Sequence, residues 1–152
     1  MSFLYLEEFK VGDKFTTMSR TITETDVVLF AGLTGDNNPL HTDQDFCEKT
    51  PFGGRIAHGM LGASVVIGLW GRMGKVDGSA IAALDTKWKF LSPIKIGDTI
   101  HAEIEITQAK QSSSKPDRGV LTVQYTIVNQ EGTVCQVGDM TTMLKWARPK
   151  GD

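Results

Sequence analysis

Residues 56–71, IAHGMLGASVVIGLWG, contain no Lys, Arg, Asp or Glu, and their reading decides the fold. The run is shorter than the ~20 apolar residues a bilayer-spanning helix needs, and it holds His58 and four glycines. It therefore predicts a helix over residues 58 to about 73, buried inside a globular domain. A helix apolar all round needs cover on every side. The second half of the chain supplies that cover. Residues 99–107 alternate, with Ile100, Ala102, Ile104 and Ile106 on one side, and residues 120–128 do the same with Leu121, Val123, Tyr125 and Ile127. NQEGT (129–133) reads as a hairpin turn into a last strand near 133–146, and an earlier strand near 80–91 stops at Pro93. The expectation is one α+β domain over residues 1–152, an antiparallel sheet curved around a long central apolar helix. Such a sheet leaves open edges, which a symmetric dimer would close.

Working back from the central helix, FTTMSRTI (15–22) reads as a strand. Thr23 and Asp26 form a capping-box pattern ahead of a helix over 24–34, with Val27, Phe30 and Ala31 on one face and Gly35 as its terminator. Residues 36–41 read as a loop, 43–49 as a short helical turn and 50–56 as irregular chain. KVGDKF (10–15) and KIGDTI (95–100) each look like a turn feeding a strand, and the polar stretch 110–117 like a mobile loop.

The chain has 152 residues, 40% hydrophobic and 22% charged, an ordinary soluble composition for one domain. A net charge of −2 and a pI near 5.9 give no basic field for nucleic acid or an anionic membrane, so the expected ligand is a small molecule. Cys47 and Cys135 stand far apart with no CxxC pairing and read as free buried thiols. The opening MSFLYLEEFKVGDKF places acidic residues where a signal peptide needs positive charge, which points to the cytoplasm.

Chemistry concentrates in residues 36–64, DNNPLHTDQDFCEKTPFGGRIAHGMLGAS. Asp36 and His41 lie five residues apart around Asn38-Pro39, whose fixed φ stiffens the loop between acid and imidazole. Downstream, Gly59 opens the apolar helix, where N–H groups are unused and the dipole favours negative charge. The same glycine equally permits tight packing against the sheet. His41, Asp43 and Asp45 alternate in a loop, which is thin ground for a metal site, and none is expected.

FAGLTGDNNPLH followed by TPFGGRIAHGMLGAS, with KWKFLSPIKIGDTI downstream, resembles the MaoC-like hydratases, also called R-specific enoyl-CoA hydratases. The two motifs fall in the family's order and spacing, and the likeness covers most of the chain. The resemblance implies a hot-dog fold, usually dimeric or larger. It implies reversible hydration of trans-2-enoyl thioesters to R-3-hydroxyacyl thioesters, with no metal or organic cofactor, coenzyme A being part of the substrate. It gives the attacking water to Asp36 and His41, with His41 as base and Asp36 helping to deliver the α-proton, and the thioester carbonyl to the Gly59 N–H. An imidazole suits the task because its unperturbed pKa of about 6.5 lies near working pH. Asn38 either hydrogen-bonds within the site or only shapes the turn. Ser64 either stands beside the substrate or bonds back to its own helix. His58 is expected to fix the helix start and border the substrate.

Arg72, Lys87 and Lys89 either meet the phosphates of coenzyme A or simply solvate a surface. His101 is expected to face solvent, and Met60, Leu61, Val65, Leu69 and Trp70 to be core. Two other functions compete with the hydratase, besides 3-hydroxyacyl dehydration on acyl carrier protein. A hot-dog thioesterase commonly uses a carboxylate on or beside the central helix, and residues 56–71 offer none. A non-catalytic acyl-thioester-binding module has no need of Asp36, His41 and Gly59 together.

Overall fold

A computed structural model describes residues 3–147; residues 1–2 and 148–152, the ends of the expected domain, lie outside the described residues. Strands β1 (Lys14–Thr16) and β2 (Arg20–Thr21) precede helices α1 (Glu24–Thr34), α2 (Pro39–Thr42), α3 (Gln44–Glu48) and α4 (Gly59–Arg72). Strands β3 (Ala80–Phe90), β4 (Thr99–Gln111), β5 (Arg118–Val128) and β6 (Val134–Lys145) follow. The sheet runs β1-β4-β5-β6-β3, with β2 also on β4, and every pairing is antiparallel. One core joins α4, through Leu61, Val65, Val66, Leu69 and Trp70, to the inward residues of β4 and β5. That is the hot-dog arrangement the sequence predicts.

Local chemistry accounts for most boundaries. The Thr23 hydroxyl accepts the Asp26 N–H while the Asp26 carboxylate accepts the Thr23 N–H, and Gly35 closes α1 at φ 76°. The KVGDKF and KIGDTI pieces are one turn used twice. Asp13 accepts the Lys10 N–H and Asp98 the Lys95 N–H, with Gly12 and Gly97 both at positive φ.

The expected strand over 15–22 breaks in two because the Thr17 hydroxyl takes the Ala102 N–H, so a side chain replaces a rung of the ladder. Strands β4 and β5 run further than their apolar alternation, which shortens the expected loop at 110–117 to residues 112–117. The expected cover of α4 is also incomplete. Met60, Ser64, Gly68 and Arg72, at four-residue intervals, form an exposed stripe, and Met60 is surface, not core. His101 is half-buried rather than open to solvent. Both cysteines are buried and free, and burial together with the Asp98 charge pushes the Cys135 thiol up, which leaves it inert.

Candidate active site

Where α1 ends, the chain is bent by its own side chains. The Thr34 hydroxyl accepts the Asp36 N–H, the Asp36 carboxylate accepts the Asn38 N–H at 3.3 Å, and Asn38 Oδ1 accepts the Leu40 N–H at 3.0 Å. Asn38 is thereby the N-cap of α2 and Pro39 its first residue, a pairing that nucleates a turn of helix where the sequence suggested only loop. This turn carries His41 back toward the sheet. His41 Nδ1 lies 2.7 Å from the Ile56 carbonyl oxygen. A carbonyl only accepts, so Nδ1 bears a proton, and in the neutral ring Nε2 is the nitrogen with the lone pair. The imidazole is fixed in the tautomer a base requires.

His58 supports both groups. It is 3% exposed, and its Nε2 donates to the Asp36 carbonyl at 2.9 Å. Its ring stacks on His41 with centroids 3.8 Å apart and planes 28° apart, and Phe30 packs nearby at 5.0 Å. One buried imidazole thus holds the backbone of the acid and the ring plane of the base. Its Nδ1 has no hydrogen-bond partner among the described residues.

Donor atoms of Asp36, His41 and His58 all lie within 4.8 Å of one another, close enough to raise the question of a metal. A metal sits in the plane of each imidazole that binds it, along the nitrogen lone pair. Two stacked rings send those lone pairs side by side rather than to one point. Asp43, from the other imagined triad, spends its carboxylate capping α3 through the Phe46 N–H.

Helix α4 begins immediately beside this cluster. The Leu61 and Gly62 N–H groups both reach the His58 carbonyl, so the amides of Gly59 and Met60 stand ahead of the ladder, and no side chain caps them. An uncapped helix start carries partial positive charge and bare donors, the arrangement that stabilises a developing oxyanion. The Phe90 ring lies so near Gly59 that a Cβ there would meet it at 2.7 Å. A cavity of about 630 Å³ joins these parts. Asp36, His41, His58 and Gly59 border it, and Phe30, Phe52, Met60, Phe90, Leu91 and Ile94 supply apolar wall. The arrangement can serve acid–base chemistry beside a site for a developing oxyanion, within an apolar pocket.

Residues 8–129 match the family described as MaoC like domain. The chain belongs to the MaoC-like family. A relative named (R)-specific enoyl-CoA hydratase, from Rhodospirillum rubrum, is 34% identical over 140 residues, covering 92% of this chain and 91% of its own. Another of the same name, from Aeromonas caviae, is 32% identical and covers 91% and 97%. Among solved structures, the monoamine oxidase regulatory protein of Archaeoglobus is similar with a TM-score of 0.89 at 35% identity, over 96% of this chain and 97% of that one. These relatives mark a hydratase and dehydratase family of hot-dog enzymes.

In this MaoC-like chain the other sequence-derived residues divide. Asn38 shapes the turn and does not border the cavity. The Ser64 hydroxyl donates to the Met60 carbonyl at 2.7 Å and faces a separate groove with Arg20 and Arg72, away from Asp36 and His41. Lys87 and Lys89 are exposed on β3. Among the cavity residues that escaped the sequence reading is Gln136, 3% exposed, whose Nε2 donates to the Gly59 carbonyl at 3.0 Å. The signal was a glutamine inside a strand flanked by Cys and Val.

Proposed function

We propose that this protein hydrates trans-2-enoyl-CoA to (R)-3-hydroxyacyl-CoA, reversibly, without metal or organic cofactor. A water held between Asp36 and His41 attacks C3 as His41 Nε2 takes its proton. The thioester oxygen gains charge as the C2–C3 double bond opens, and the Gly59 N–H at the start of α4 receives it. The Asp36–His41 pair returns one proton to C2, so one water is consumed and the groups end as they began. The observation that carries this reading is the meeting, on one cavity, of an imidazole in its basic tautomer, a carboxylate and an uncapped helix start. Each positioned proton transfer contributes about 10²- to 10⁴-fold, and one oxyanion donor about 10²- to 10³-fold.

The test follows loss of the enoyl absorbance of crotonyl-CoA. The wild type turns over to the R product, and Asp36→Asn lowers kcat by about 10²-fold or more while the circular dichroism spectrum is unchanged. Wild-type protein inert on enoyl-CoA of every chain length tested sinks the proposal.

We infer further that the working form is a cytoplasmic homodimer. Strand β3 ends the sheet with one side of its ladder open, and Ile81, Leu84, Phe90 and Leu91 are each more than 40% exposed. A second copy would cover these residues and the rim of the cavity, which Phe90 and Leu91 share. No helix among the described residues is long and apolar enough to cross a membrane.

A further inference from the structure

Gln136 sits where the β5–β6 ladder slips. Ile127 pairs with Gln136 and Val128 with Val134, leaving Cys135 as the extra residue of a bulge. The bulge breaks the alternation of β6, so Cys135 and Gln136 are both buried although adjacent. The amide then enters the space beside α4, where Gly62 admits it: a Cβ at Gly62 would meet Gln136 Nε2 at 2.7 Å.

The orientation of the amide is set by its partner. The Gly59 carbonyl can only accept, so Nε2 faces it and Oε1 is left as a pure acceptor. That Oε1 is buried and has no partner among the described residues, although the residue lines the cavity. A buried acceptor without a donor is destabilising, so the group that completes it must carry an N–H or O–H.

This inference rests on the hydratase reading, and the chemistry of an acyl thioester then narrows the choice. The carbonyl oxygen and sulfur accept, and the acyl part's only donor, the 3-hydroxyl of the hydrated product, stands with the water at Asp36 and His41. Moving out from the sulfur along the carrier arm, the first donor is an amide N–H two methylenes away. Gln136 grips the carbonyl of Gly59, the same residue whose N–H is assigned the thioester oxygen, and both residues line one cavity, so the arm passes the same end of α4. We propose that Gln136 is a carrier-binding residue. Its Oε1 accepts the first amide N–H of the pantetheine arm, registering the thioester carbonyl on the Gly59 N–H. The contact is common to every pantetheine thioester and independent of the acyl chain.

Two probes test it: the crotonyl thioester of N-acetylcysteamine, and the same thioester methylated on the amide nitrogen. Wild-type kcat/KM should fall roughly five- to tenfold on methylation, the worth of one hydrogen bond. In Gln136→Met and Gln136→Ala the two probes should be hydrated at nearly equal rates. A glutamine that only props the helix start would slow both probes alike and leave their ratio at the wild-type value. That result, or wild-type indifference to the methyl group, overturns the proposal. Either variant suffices if the other does not fold. Wild-type turnover of crotonyl-CoA, measured alongside, separates this failure from failure of the hydratase reading itself.

Discussion

Replacing His41 by Asn and by Ala separates its two nitrogens. Nδ1 donates to the Ile56 carbonyl at 2.7 Å, and Nε2 is the proposed base. An asparagine amide N–H reaches the place of Nδ1–H, so His41→Asn keeps the bond to Ile56 and removes the base. His41→Ala removes both and leaves the carbonyl of half-buried Ile56 without its donor. Both variants forfeit the stack on His58, so their difference isolates the hydrogen bond. One such bond is worth about 1 kcal/mol, which for a chain of this size separates the two melting temperatures by roughly 2–4 °C, Asn above Ala. Catalysis should not tell them apart: kcat with crotonyl-CoA falls by about 10²- to 10⁴-fold in each. The readouts are enoyl absorbance for the rate and circular dichroism melting for stability. A kcat within tenfold of wild type in either variant refutes the role of His41 as base. Equal melting temperatures refute the claim that Ile56 holds its tautomer.

Gly119→Ala should be strongly destabilising, because a Cβ there collides with the Lys110 carbonyl oxygen and comes within 2.8 Å of Gln111 Cα, both backbone. A loss of about 2 kcal/mol or more, hence a melting temperature lower by roughly 4–8 °C, is expected, and an unchanged melting curve contradicts it. Asp26 predicts a pH effect. Burial raises its pKa, but the Thr23 N–H and hydroxyl and the Arg20 guanidinium outweigh that and hold it below the usual 3.8. Its stabilisation is therefore full above pH 3.8 and is lost as pH falls through the lower folded value. Asp26→Asn should cost about 1 kcal/mol at neutral pH, and the gap from wild type should close in acid; a gap constant with pH contradicts this. Leu84→Asp on the open edge of β3 should convert a dimer to monomer in size-exclusion chromatography with light scattering, and an unchanged mass argues for another interface.

The sequence made legible what depends on neighbours along the chain. The Thr23–Asp26 cap, the Gly35 terminator and the alternation of β4 and β5 are local, and the fold repeats them. Long-range effects were hidden. Nothing in FTTMSRTI says that the Thr17 hydroxyl replaces a rung of a ladder 85 residues away. The exposed stripe of α4 was unreadable for a different reason, since Met60, Ser64 and Gly68 are as uncharged as the buried residues between them. The site divides the same way. Asp36, His41 and Gly59 stand out because reactive groups and a helix start lie within one short stretch. His58 was visible, yet its stack on His41 depends on how α4 meets the α1–α2 turn. The inward turn of Gln136 was hidden, because only a bulge in β6 brings an outward strand position to face the core. Spacing along the chain thus names the groups proposed to move protons. The contacts that hold the site together span longer distances: His58 reaches back 22 residues to the Asp36 carbonyl, and Gln136, from the sheet, sits 77 residues from the Gly59 carbonyl it grips.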